Sequence, residues 1–183
     1  LAALEKMIDY NRKNNIQLFR ISSDLIPFGS SPVNALPWWD IHAEAFQHIG
    51  AKIRKSGMRV SFHPGQYTVL NSPDEDVVAR AILDLAYHAK MLECLGVDNQ
   101  HKIVLHVGGI YGDKKEALQR FELNFRRLPE AVQNRLIIEN DDRLYNIEEV
   151  LELAHRLQIP AVYDNLHHAI NPPPSRGTDP YWI

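Results

Sequence analysis

Five short runs of β-type residues, at 16–22, 58–62, 102–106, 135–139 and 160–164, alternate with stretches of helical periodicity. This alternation restricts the fold more than any other feature of the chain. The runs recur at roughly 35-residue intervals, the spacing of βαβ units, so right-handed crossovers in a parallel sheet are expected. Ile103-Val104-Leu105 is continuously apolar, as in parallel strands covered on both faces. No Gly-x-Gly-x-x-Gly and no P-loop follows any run, which leaves a doubly wound sheet and a nucleotide cofactor without support. A (β/α)8 barrel is favoured. A complete one takes about 250 residues, so five strands in 183 residues read as an α/β chain forming a partial TIM barrel, about five of eight strands.

The intervening stretches carry helix signals. A helical pattern is already running at the start, with Leu4 and Ile8, and a Gly/Ser/Pro loop extends to Pro37 after the first strand. Ile41, Ala45, Ile49 and Ile53 recur at four-residue spacing, with Lys52 and Lys55 in the last turn and Gly57 just past it. Ser72 is expected as the next N-cap, with Pro73 at the first helical position and Glu75 three after the cap. The stripe Val78, Ala81, Ile82, Leu85, Ala89 and Leu92 follows, and Gly96 ends it. Asp113 with Glu116, and Asn146 with Glu149, repeat the cap spacing ahead of two further amphipathic stretches.

Composition narrows the class. With 45% hydrophobic and 23% charged residues the chain has ordinary globular proportions. Its apolar runs fall far short of the roughly 20 residues that cross a bilayer, and no charged segment precedes an apolar one at the start, so a soluble, cytoplasmic protein is expected. The single cysteine, Cys94, excludes a disulfide framework and disfavours a thiolate metal site. A net charge of −3 neither indicates nor excludes nucleic acid, since a phosphate-binding face can be locally basic. The chain opens at Leu1 and stops at Ile183, and it reads as one domain over 1–183, cut at both ends.

In such a barrel the C-terminal strand ends converge on one mouth, where the chemistry sits. Here they carry His63, His106, Glu139 and Asp164, with His167 three residues further on. Imidazoles and carboxylates from separate strands form a nitrogen/oxygen set suited to divalent metals such as Mn, Zn or Fe, and a pair of ions can deprotonate water and stabilise a phosphoryl centre. One strand-end histidine is ordinarily structural; four successive strands ending in ligand types are harder to explain that way. His42, His48, His88 and His155 fall in helical patterns and His101 in a loop, and are read as structural. Asp141 and Asp142 read as loop chemistry, Trp38 and Trp39 as packing, and Arg126 and Arg127 as solvated.

Taken in order, Phe19-Arg20-Ile21-Ser22-Ser23, Phe62-His63-Pro64-Gly65-Gln66-Tyr67, Leu105-His106-Val107-Gly108-Gly109, Glu139-Asn140-Asp141-Asp142 and Asp164-Asn165-Leu166-His167-His168 make the chain resemble the ultraviolet damage endonucleases, (β/α)8 enzymes of DNA repair related to the type IV apurinic endonucleases. The resemblance implies a hydrolase that nicks double-stranded DNA immediately 5′ to cyclobutane dimers and 6-4 photoproducts, with up to three metal ions, commonly Mn2+. It implies that His63, His106 and Glu139 hold one ion and are the catalytic group, that Glu139 bridges to a second ion also bound by Asp164, and that His167 binds the third. Gln66 and Tyr67 match a pair that enters the duplex at the lesion, where unstacking costs less than in intact DNA. A monomer acting on nucleoid DNA is expected.

One departure is visible: Ser31 stands where the family is expected to place a further histidine. The remaining ligands are expected on strands beyond Ile183, so weak or absent nicking by the 183-residue chain alone is expected. The alternative is a sugar isomerase or epimerase of the xylose isomerase-like barrels, which gather the same ligand types at strand ends. Gln66 and Tyr67, reaching outward from a Pro-Gly turn, favour DNA over a closed sugar pocket.

Overall fold

A computed structural model describes residues 1–174 of the chain; the end of the stretch read as one domain lies outside the described residues. Helix α1 (Ala2–Lys13) leads into β1 (Leu18–Arg20). Helices α2 (Trp38–Ile41) and α3 (Ala43–Ser56) return the chain to β2 (Arg59–Phe62), and α4 (Glu75–Cys94) to β3 (Lys102–His106). Helices α5 (Lys114–Phe125) and α6 (Glu130–Gln133) precede β4 (Leu136–Glu139), α7 (Ile147–Leu157) precedes β5 (Ala161–Val162), and α8 (Asn165–Ile170) follows. The strands form one sheet in chain order, every neighbouring pair parallel. The architecture is the expected one: a partial barrel of five strands with its crossover helices.

Period-two alternation fixes the faces of the sheet. Along β2, Val60 and Phe62 are buried, whereas Arg59 is exposed and Ser61 half-exposed. Ile103, Leu105, Leu136 and Ile138 join Phe62 in the continuous core between sheet and helices. Removing so many large side chains from water, at about 25 cal/mol per Å2, holds the helices on that face. The register aligns His106 with Glu139, so two strand ends emerge side by side.

Local signals place the helices, with some differences from expectation. Gly57 closes α3 at φ 69°, a conformation that costs a glycine little. The buried stripe of α3 is Phe46, Ile49, Gly50 and Ile53. Ile41 is 56% exposed and belongs to α2, because a break at His42 separates the two helices. Helix α4 is capped by Asp74, not Ser72: the Asp74 carboxylate accepts from the Asp76 and Val77 amides, while the Ser72 hydroxyl accepts from the Asp74 amide in the turn before. Ionised oxygen is the stronger acceptor, and it moves the start two residues onward. Asp113 caps α5 through the Glu116 amide, and Asn146 with Glu149 forms a reciprocal capping box on α7.

The loop after β1 is held from inside. The Tyr87 hydroxyl on α4 accepts from the Ile26 amide (3.0 Å) and donates to the Ser23 carbonyl (3.1 Å). Burial pushes this phenol up to about 12. Trp38, buried, packs edge-on to Tyr87 at 5.5 Å, which bears out its packing role. Among the described residues no helix is long and apolar enough to cross a membrane.

Candidate metal centre

His106 and Glu139 are the last residues of β3 and β4, and His63 follows β2 directly. Their side chains meet. Glu139 Oε2 lies 3.0 Å from His63 Nε2 and 3.5 Å from His106 Nε2, and one ligand atom from each residue falls within 4.8 Å of the others. Glu139 is 4% exposed and, among the described residues, has no lysine or arginine partner. A buried carboxylate needs a compensating positive charge.

His106 does not supply that charge readily. Burial holds the His106 imidazole below the ordinary histidine range, with Glu139 opposing the shift and His63 and His167 adding to it. His63 Nδ1 lies 3.2 Å from the Pro64 carbonyl and its Nε2 3.0 Å from Glu139 Oε2, so both ring nitrogens face acceptors; with the proton on Nδ1, Nε2 would be free to bind a cation held beside Glu139. Such orientation of imidazole by a carbonyl on its far nitrogen accompanies metal ligation. Divalent metals bind imidazole nitrogen and carboxylate oxygen at about 2.0–2.2 Å, which sets neighbouring donors roughly 3 Å apart; Glu139 lies 3.0 and 3.5 Å from the two imidazole nitrogens. The residues therefore fit a divalent cation.

The other two candidates are held differently. Asp164 lies two residues past β5 and caps α8, one oxygen accepting from the Leu166 and His167 amides at 2.8 and 2.9 Å. His167 Nδ1 sits 2.8 Å from the Asn140 carbonyl, which orients its Nε2 outward in the same way as His63. Its ring centroid is 5.4 Å from that of His106, so His167 borders the three-residue group without joining it. Asn140 ties both to the sheet. Fully buried, it donates to the Asp164 carbonyl (3.0 Å) and accepts from the Asp164 amide (2.8 Å). Nothing in the sequence pattern assigned Asn140 this lock; its place directly after Glu139 was the available signal.

Gln66 and Tyr67 form the tip of a turn closed by the Thr68 amide on the Gly65 carbonyl (2.9 Å), and Tyr67 is 71% exposed. Thr68 is anchored beneath the tip, its hydroxyl donating to the buried Asp84 carboxylate at 2.8 Å. A mouth of about 330 Å3 opens between this turn, His106, His167 and the Asp141–Leu144 loop. Asp141 shapes that loop by accepting from the Arg143, Leu144 and Tyr145 amides, as read from sequence. Gly108, at φ +108°, walls the mouth; a Cβ there would meet Asn71 Oδ1 at 2.4 Å. Ser31 points to no ligand role, since its hydroxyl accepts from the Val33 amide.

A family model described as UV-endonuclease UvdE matches residues 1–180. The chain belongs to that family. It is similar to the UV DNA damage endonuclease of Clostridium perfringens (strain 13 / Type A), 46% identical over 165 residues, covering 90% of this chain and 40% of that protein. The crystal structure of SacUVDE superposes with a TM-score of 0.91 at 41% identity, over 94% of this chain and 59% of that one. A D-psicose 3-epimerase from Clostridium cellulolyticum (TM-score 0.63, 17% identity, 92% of this chain, 60% of that one) and endonuclease IV from Thermus thermophilus (0.63, 19%, 91% and 60%) share the xylose isomerase-like barrel, and that likeness is one of fold alone. The chain thus spans 40% of that curated UvdE relative and 59% of the SacUVDE chain.

Proposed function

We propose that the protein is a DNA repair endonuclease that hydrolyses the phosphodiester bond immediately 5′ to ultraviolet photoproducts in double-stranded DNA, using divalent metal ions of which Mn2+ is the first candidate. The observation that carries this reading is the meeting of two imidazoles on a buried carboxylate that has no lysine or arginine partner among the described residues, at the strand ends, beside an exposed Gln-Tyr tip. Family membership supports it. His63, His106 and Glu139 would hold one ion, with Asp164 and His167 serving further ions; bound metal supplies an activated water and charge stabilisation at phosphorus.

The chain's own residues do the rest. Glu139, fixed by β4 and kept from water, holds its carboxylate where the phosphodiester is cut. Pro64 and Asn140, through their carbonyls, hold the imidazole of His63 beside Glu139 and that of His167 at the mouth. Gln66 and Tyr67 test the duplex by entering it at a weakened stack. The protein acts as a monomer on DNA in the cytoplasm.

The test incubates the full-length protein and Mn2+ with an irradiated duplex, an unirradiated duplex and a ketose. Metal-dependent nicking confined to the 5′ side of lesions is expected. Conversion of the ketose without nicking would replace this reading with a sugar epimerase, and an inert protein that retains bound metal would remove catalysis from it.

A further inference from the structure

His63 stands one residue past the end of β2, yet its backbone is not left loose. Where β1 and β2 pair, the Ile21 amide donates to the Ser61 carbonyl at 2.8 Å. In a parallel pair such rungs are evenly spaced, and the next would run from residue 23 to residue 63. The chain leaves the sheet at that point, because a 3-10 turn, Ser23–Leu25, begins there. A side chain supplies the rung instead: the Ser23 hydroxyl donates to the His63 carbonyl at 3.0 Å. Pro64 follows, and a residue before proline is held to extended backbone, so His63 continues the line of its strand.

The turn that carries Ser23 is itself braced. Its start is capped by the Ser22 hydroxyl, which accepts from the Asp24 amide at 3.4 Å, and from inside the buried Tyr87 hydroxyl donates to the Ser23 carbonyl at 3.1 Å. The two neighbouring serines therefore differ in what they hold. Ser22 bonds within the turn, whereas Ser23 reaches a residue 40 positions away, the one whose ring stands 3.0 Å from Glu139. The run Phe19-Arg20-Ile21-Ser22-Ser23 supplies no ligand type to the mouth, and this bond is what connects it to the centre.

We propose that Ser23 is a positioning residue for the metal centre: its hydroxyl fixes the backbone from which the His63 imidazole reaches a divalent cation held beside Glu139. Groups bonded to a ligating imidazole itself typically change metal affinity by roughly 10- to 100-fold. Ser23 works one step further out, through the backbone, so its effect is smaller. The proposal rests on the metal-centre reading above and adds to it a residue and the route by which the loop after β1 takes part.

Calorimetric titration of Mn2+ into the metal-free full-length protein tests the assignment. The binding step that His63→Ala weakens identifies the ion concerned. Ser23→Ala is expected to weaken that same step by roughly 3- to 10-fold, while Ser23→Thr, which keeps the hydroxyl, stays within about twofold of the parent. Ser22→Ala loosens the same turn without touching His63, and it is expected to leave Mn2+ affinity unchanged whatever it does to the melting temperature. In a His63→Ala background, Ser23→Ala should leave the remaining binding as it is. Unchanged affinity in Ser23→Ala overturns the proposal, as does a loss that Ser22→Ala matches or one that persists in full without the His63 imidazole. A parent protein that binds no Mn2+ would remove the metal reading and this proposal with it, whereas Mn2+ binding indifferent to Ser23 removes this proposal alone.

Discussion

His63, His106 and Glu139 differ from Asp164 and His167 in what holds them. The first three stand at the ends of paired parallel strands and draw their positions from sheet register, so His106 and Glu139 are side by side by construction. The second pair stands at the start of a six-residue helix and depends on a cap and on one buried asparagine. The sheet half of the centre is rigid by pairing. The helix half is rigid only while a few polar bonds persist.

The largest effect should come from the sheet half. Glu139→Gln keeps the shape and removes the charge, and incision by the full-length protein should fall about a thousandfold, a loss of several kcal/mol, with preference for irradiated over intact duplex retained in a binding assay. Comparable incision would take Glu139 out of the chemistry. Next, Asn140→Ala should leave the Asp164 backbone unpaired and cost about 1–3 kcal/mol in denaturant unfolding, with a fall in metal affinity by calorimetry as Asp164 and the start of α8 lose their tie to the sheet. Were metal affinity unmoved, the two halves would not be coupled through Asn140.

Smaller effects sharpen the contrast. Asp164→Ala should lose about 1 kcal/mol by removing the cap of α8. Asp164→Asn keeps a capping oxygen and should restore that stability without restoring metal affinity; recovery of both would make Asp164 a cap and nothing more. The smallest effect separates the site's histidines from those held by packing. His88, between the Phe62 and Tyr87 rings, and His101, whose Nδ1 accepts from the Val60 amide, are both pushed below the ordinary histidine range by burial. The unfolded chain takes up those protons first, near pH 6.5. Stability from these two groups is therefore complete above about pH 6.5 and is lost as pH falls through their depressed folded values. A Glu139→Gln, His106→Gln double variant should keep this acid-side decline in melting temperature; its disappearance would place the decline in the centre.

The sheet half was legible from sequence because an apolar run and the residue that ends it are local facts. The helix half was only partly so. Asp164 and His167 could be named, yet their support by Asn140 joins residues 24 positions apart and leaves no periodic trace. The same limit explains Asp74, which displaced Ser72 as a cap because two acceptors stood two residues apart, and Ile41, whose spacing suited a helix that His42 interrupts.

Strand order along the sheet is the order of the chain, β1 to β5, each strand pairing with the one made before it. During synthesis each of these five strands after the first therefore has a finished edge to dock on. His63, His106 and Glu139 all precede residue 140, so the centre can close around its carboxylate while α7 and α8 are still being made. Any ion captured then would meet the sheet half of the centre first, with Asp164 and His167 arriving later.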